Sequence, residues 1–268
     1  MDLILYFTSL IITGIAAGTA SGLFGVGGGF LMTPVQFWLY TTGGIDDTLA
    51  TRLAFGTSLA VMIPTMISAA SAHHHRGVVN WQAAIPMGCA AVFGGLAGGT
   101  LAAHLPGFLL RTIFALIIIA TAVRMVWHIR TCPSCEPGGS TSIYLIIGFL
   151  IGLVSGLAGI GGGVLLVPVL VILLGYPMHT AVGTSSACLI FSSAGAVTAY
   201  IINGIGVAGL PPYSVGYVNL VTFAILAATT IPLARFGVRC AHHCTGQNLE
   251  IAFAGILMLI GGMMLVSG

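Results

Sequence analysis

Two glycine runs and two hydroxyl pairs carry the chemistry this sequence could do. Residues 25–29 read GVGGG and residues 159–163 read GIGGG, and each run is followed five residues later by a proline, Pro34 or Pro168. Further along each half comes a Thr-Ser pair after a glycine: AFGTS at 54–58 and AVGTS at 181–185. Glycine lets a chain leave helical geometry and lets a ligand approach the backbone. A helix restarting just beyond the glycines offers N–H groups and the positive end of its dipole. Such an end binds anions without a charged side chain. Serine and threonine hydroxyls can donate to an anion's oxygens on the same terms. The candidate anion site is therefore Gly25, Gly27, Gly28, Gly29, Thr57 and Ser58, with Gly159, Gly161, Gly162, Gly163, Thr184 and Ser185. Ser21 and Ser155, four residues ahead of each run, are candidates for the same cavity. Two plainer readings stay open. The glycines also suit close helix packing, and the hydroxyls could bond back to their own helices. The runs are not dinucleotide fingerprints, because no strand precedes them and no acidic residue follows at the required distance.

The pairing extends beyond the motifs. GTASGLFGVGGGFLMTPV at 18–35 and GLVSGLAGIGGGVLLVPV at 152–169 agree at 11 of 18 positions, 134 residues apart. Gly77 and Gly204 follow the two GTS motifs at equal spacing. The chain is a duplication. Corresponding glycine-interrupted apolar segments in two halves are the best sequence pointer to a transport site.

Composition fixes the solvent. Charged residues make up 4% of the chain and hydrophobic ones 57%, with mean hydropathy +1.11. Soluble domains carry about 25% charge. No Asp, Glu, Lys or Arg lies between Glu136 and Arg235, a stretch from which no soluble surface could be built. Apolar segments long enough to cross a bilayer explain it. The N-terminus has no basic n-region and no clear cleavage site, so the first apolar run reads as a retained segment.

Ten apolar segments are expected, at about 3–24, 30–41, 53–72, 81–103, 108–128, 143–158, 164–175, 180–202, 215–234 and 249–267. Those at 30–41 and 164–175 are too short to span, since 12 helical residues cover about 18 Å. Each is read as one arm of a helical hairpin with its glycines at the turn. The expected fold is an all-α polytopic membrane protein. It has two inverted repeats of about five helical segments, the first two of each forming a glycine-broken pair or re-entrant hairpin. The repeats are 1–130 and 143–268, joined by a turn-rich linker, 131–142. If each segment reverses direction, Arg76, Arg124, Arg130, Arg235 and Arg239 share one face. Arg52 and Arg111 share the other with Asp2, Asp46, Asp47 and Glu250. The positive-inside rule puts the five arginines in the cytoplasm and both termini outside, in a multi-pass plasma-membrane protein.

The cysteines form a separate group. Cys132 and Cys135 sit in CPSC, Cys240 and Cys244 in CAHHC with His242 and His243 between them. On this topology all four face the reducing cytoplasm. Four thiolates could hold zinc, and unpaired thiols are the other reading. No other cofactor is expected. Cys89 and Cys188 lie inside apolar segments and read as packing residues. His73–His75 with Arg76 read as a solvated basic loop. No carboxylate lies deep in a segment, so proton coupling would use a histidine or the substrate itself.

The doubled GxGGGxxxxP, each copy followed by a GTS, resembles the TauE/SafE family of sulfite and organosulfonate exporters. The resemblance covers nearly the whole chain. It implies a transporter, not an enzyme, that exports small sulfur oxyanions such as sulfite, sulfoacetate or related sulfonates. It implies no nucleic-acid partner and leaves oligomeric state open. Carried onto this chain, the implied site is Gly25, Gly27–Gly29 and Thr57–Ser58 with Gly159, Gly161–Gly163 and Thr184–Ser185. The halves differ at Arg52 against His179, Phe24 against Ala158 and Thr33 against Val167, so the cavity should be asymmetric. A membrane-embedded metal or redox protein built on the CPSC and CAHHC cysteines, and an anion channel, are the competing readings.

Overall fold

The computed structural model describes residues 3–128, 138–249, 251–253 and 255. Among them the chain is helical apart from one short hairpin. The first half holds α1 (Leu3–Phe24), α2 (Gly29–Thr42), α3 (Asp47–His74), α4 (Trp81–His104) and α5 (Gly107–His128). The second holds α6 (Thr141–Ala158), α7 (Gly163–Pro168) with a π turn at Val169–Leu173, α8 (Met178–Gly204), β1 (Ser214–Val215), β2 (Val218–Asn219) and α9 (Leu220–Ala241). Residues 246–249 and 251–253 are again helical. Among the described residues six helices, α1, α3, α4, α6, α8 and α9, are long and apolar enough to cross a membrane. α3 and α8 are the most buried of these and form the centre. Around them, exposed Ile4, Ile12, Phe93, Ile146 and Ile202 give the apolar outer surface that hydrocarbon requires.

Small residues set the packing. In α1, a Cβ at Gly14, Gly18 or Gly22 would run into Thr229, Thr230 or the Ala234 carbonyl of α9. In α6, a Cβ at Gly148, Gly152 or Gly156 would run into the Met87, Ala91 or Gly95 carbonyl of α4. The two triplets are 134 residues apart, the separation of the glycine runs. Such four-residue spacing lets backbones approach where the hydrophobic effect between helices is absent.

The register also gives direction. Partners rise together in number along α1 and α9 and along α6 and α4, so each pair is parallel. Thr65 meets Thr230 and Ser68 meets the Ile231 carbonyl, so α3 runs parallel to α9. Gly88 meets Phe191 and Gly99 meets Ala199, so α4 runs parallel to α8. Gly56 near the start of α3 meets Tyr200 near the end of α8, while Gly183 near the start of α8 meets Val78 just past α3. α3 and α8 are therefore antiparallel. Helices α1, α3 and α9 point one way and α4, α6 and α8 the other.

Several expected boundaries move for local reasons. α3 starts at Asp47 because the Asp46 carboxylate accepts from the N–H groups of Thr48 and Leu49, a standard N-cap. The segment expected at 215–234 becomes α9 at Leu220–Ala241. The hairpin takes up 214–219, and the Asn219 side chain caps the helix through Thr222 N–H. The run at 164–175 is not one helix; its hydrogen bonding widens to a π turn directly after Pro168, which supplies no N–H. Most of the linker and of the expected 249–267 segment lies outside the described residues.

Charges segregate to the two ends of α3. At its start, Arg111 pairs with Asp47 at 3.5 Å, and its guanidinium lies 4.5 Å from the Phe37 ring centre. Past its end, Arg76, Arg235 and Arg239 line one cavity of about 250 Å³ with Ser71 and His75.

Candidate functional site

The two glycine runs form the same loop twice. Gly25, Gly27 and Gly28 have φ of 65, 82 and 73°, and Gly159, Gly161 and Gly162 have 63, 80 and 75°. Only glycine adopts this left-handed pattern at little cost. In each half the loop closes a long helix and opens a shorter one that turns back along it. Tyr6 near the start of α1 and Tyr40 near the end of α2 reach the same Thr222 hydroxyl, so α1 and α2 form a hairpin returning to its starting side. The hairpin expected from the short apolar run is thus present.

The loops meet. A Cβ at position 29 would stand 3.0 Å from the Ile160 carbonyl and 3.2 Å from that of Gly159, and one at 163 would meet Val26 Cα. Gly25 abuts Val182 of α8, and Gly159 abuts Phe55 of α3. Val182 and Phe55 each lie two residues before their Thr-Ser pair, so each repeat's loop packs on the other repeat's central helix. Between the loops lies the fully buried end of the Met62 side chain, against which both Gly27 and Gly161 pack. Ser193 Oγ is 3.6 Å from the Cβ position of residue 161.

The Thr-Ser pairs hold this core in place. Thr57 Oγ1 accepts from Asn219 N–H at 3.0 Å, and Thr184 Oγ1 accepts from Asn80 N–H at 3.0 Å. Each threonine thus receives the chain just before α9 or α4, whose caps are those same asparagines. Ser185 Oγ donates to the Gly25 carbonyl at 2.8 Å. Ser58 Oγ accepts from Gln36 Nε2 at 2.8 Å and from Thr33 Oγ1 at 3.1 Å. The Thr57–Ser58 and Thr184–Ser185 hydroxyls are therefore engaged with protein in this state. Among the described residues, the buried Oγ atoms of the candidates Ser21 and Ser155, together with those of Ser192 and Ser193 and Gln36 Oε1, carry no protein partner. An unpaired buried polar group costs about 1–3 kcal/mol. The serine hydroxyls of this set are donors, and donors beside charge-free loops suit an anion; Gln36 Oε1 is an acceptor.

Sequence reading named Ser21 and Ser155 but missed Gln36, Met62, Ser192 and Ser193. The signals existed: Gln36 interrupts an apolar run, and Ser192–Ser193 continue the helical face of Ser185. One other residue differs from expectation. His73 is not in a solvated loop. It is fully buried in the last turn of α3, with Nε2 3.2 Å from the Gly22 carbonyl. The carbonyl is available because α1 ends two residues later and leaves its last carbonyls without helical donors. Arg52 is half-buried. It donates to the Leu105 carbonyl at 2.9 Å and to Tyr217 Oη at 3.3 Å, about 7.5 Å along α3 from Thr57.

Cys132 and Cys135 lie outside the described residues. Cys240, half-buried, and Cys244, exposed, are free thiols, and among the described residues no group of His, Cys, Asp and Glu is arranged to hold a metal.

The sequence model of the sulfite exporter TauE/SafE family matches residues 10–264. The chain belongs to this family. It is a multi-pass membrane protein of a transporter family, not an enzyme. A probable membrane transporter of Methanocaldococcus jannaschii is 29% identical over 267 residues, covering 99% of this chain and 97% of its own length. One of Haemophilus influenzae is 30% identical over 254 residues, covering 93% and 94%. The Bacillus subtilis protein YunE, also a probable membrane transporter, is 26% identical over 74% of this chain and 79% of its own. No solved structure matches.

Proposed function

We propose that this TauE/SafE protein is a secondary transporter that exports small sulfur-containing anions, namely sulfite, sulfoacetate or a related sulfonate, by alternating access. The observation that carries the reading is the pair of identical left-handed loops abutting at the core beside buried, unpartnered serine hydroxyls. The substrate anion sits between the glycine loops near the midplane. Ser21, Ser155 and Ser193 donate to it, and the hydroxyl pairs Thr57–Ser58 and Thr184–Ser185 hold the surrounding backbone. With Met62 between Gly27 and Gly161, the present state is closed at that point. Loading moves the Met62 side chain aside.

The halves act as inverted repeats, 1–130 and 143–268. Supporting this, α1, α3 and α4 each run opposite to their counterparts α6, α8 and α9. Corresponding elements also make corresponding contacts, such as Thr57 with Asn219 and Thr184 with Asn80. Inverted repeats around a fixed site are the usual basis of alternating access. The arginine cavity at Arg76, Arg235 and Arg239 is taken as cytoplasmic, with both termini outside the plasma membrane. Zinc at Cys132, Cys135, Cys240 and Cys244 has no part in this reading.

The test is flux into proteoliposomes of labelled sulfite, sulfoacetate, thiosulfate and sulfate. The reading expects saturable movement of sulfite or sulfoacetate, with counterflow against unlabelled substrate. No flux of any of the four would overturn it. Flux without counterflow would replace the transporter with an anion channel.

A further inference from the structure

Arg52 and His179 occupy the same place in the two repeats, five residues before their Thr-Ser pairs. Because α3 and α8 are antiparallel, the two residues flank the glycine loops from opposite ends. Both are half-buried, and each keeps a buried nitrogen without a protein partner among the described residues, Nε of Arg52 and Nδ1 of His179. One end therefore carries a permanent cation and the other an imidazole.

His179 does not stand alone. Its ring stacks on His242, centres 5.2 Å apart and planes at 20°, and His242 in turn lies 5.6 Å from His73. His73 Nδ1 and His242 Nε2 are likewise buried without partners. The three imidazoles come from the end of α3, the start of α8 and the cap of α9, so they join both repeats. His73 also reaches the Gly22 carbonyl, three residues before the first glycine loop. Stacked rings at this separation do not converge on a metal, but unpartnered ring nitrogens can take a proton.

We propose that His73, His179 and His242 form a proton-binding site, the titratable counterpart of Arg52, through which one proton accompanies the substrate anion. This rests on the transport reading above. The proton comes from water at the arginine-rich end, binds an imidazole nitrogen as the anion arrives, and returns to water when the anion leaves. The surrounding titratable groups are His74 at the end of α3, His75 and Arg76 after it, Arg235, Arg239, Cys240, His243 and Cys244 on and after α9, and none other on the adjoining turns of α1 and α8. Among the described residues these bring no carboxylate. Burial, then Arg76, pushes His242 below the ordinary imidazole range. An incoming anion offsets the repulsion from Arg76. Proton and anion then favour each other reciprocally.

The experiment compares wild type, His179→Arg, His179→Gln and His242→Gln in proteoliposomes, using labelled sulfite across about pH 5.5 to 8. Speciation of sulfite is common to all four proteins, so any difference belongs to the cluster. Wild-type net flux is expected to rise as the pH falls, by up to about tenfold per unit where protonation of the cluster limits it. His179→Gln and His242→Gln should flatten this rise while keeping counterflow. His179→Arg, which copies the fixed cation of Arg52, should transport with little pH dependence and without the proton uptake seen by a trapped pH dye. Wild-type pH profiles in all three variants, with counterflow intact, would overturn the proton site alone. Absence of counterflow in wild type would instead overturn the transport reading.

Discussion

Replacing Gly161 by alanine puts two separate strains on the site, and they can be told apart. The first is backbone: at φ 80° a Cβ meets the following carbonyl, at a cost of about 1–2 kcal/mol. The second is contact: the new methyl falls on the end of Met62, which cannot retreat cheaply because Gly27 and Gly161 both press on it. Overpacking of this kind adds about 1–3 kcal/mol. Met62→Ala alone should cost about 2–5 kcal/mol, since the side chain is fully buried. In the double variant the contact strain vanishes and the new methyl partly fills the cavity, while the backbone strain remains. The double variant should therefore be more stable than the sum of the singles by about 1–3 kcal/mol. Reversible unfolding in mixed micelles measures this, with sulfite flux in parallel. Met62→Ala should also leak anion, because it opens the space between the loops. Additivity within about 0.5 kcal/mol would refute the placement of Met62 between the loops.

Other consequences follow from the hydroxyls, the arginine and the thiols. Thr57→Val or Thr184→Val leaves a backbone N–H of Asn219 or Asn80 unpaired and should cost about 1–3 kcal/mol in unfolding, with Ser at either position restoring most of it. Arg52→Ala should lower sulfite flux more at low than at high salt, whereas Arg52→Lys should retain much of it; equal losses at both salt levels would contradict an electrostatic role. Purified protein should carry no stoichiometric zinc and Cys244 should alkylate freely. One zinc per chain, lost on Cys132→Ser, would restore the four-cysteine site.

The sequence carried the duplication, the hairpins and the loops, because those rest on glycine. A left-handed φ or a backbone contact leaves no substitute, so Gly25–Gly29 and Gly159–Gly163 are visible without coordinates. The cross-repeat partners were not legible. Nothing local in Thr57 points to Asn219, 162 residues away, or in Ser185 to the Gly25 carbonyl. His73 read as part of a charged loop because its neighbours His74, His75 and Arg76 are exposed, and only the end of α1 explains its burial. Met62 looked like any apolar residue, since its role comes from two loops meeting around it.

The central claim, an anion site built from neutral donors between the glycine loops, is tested most directly by equilibrium binding of labelled sulfite to purified Ser155→Ala and Ser193→Ala. Neither hydroxyl has a protein partner among the described residues, so removing it breaks no bond, relieves a buried unpaired group and should hold or raise the unfolding midpoint. A hydrogen bond to a charged group contributes about 1.5–3 kcal/mol, so each variant should bind sulfite roughly tenfold or more weakly than wild type. Unchanged binding in both variants would contradict the account and place the anion elsewhere in the protein.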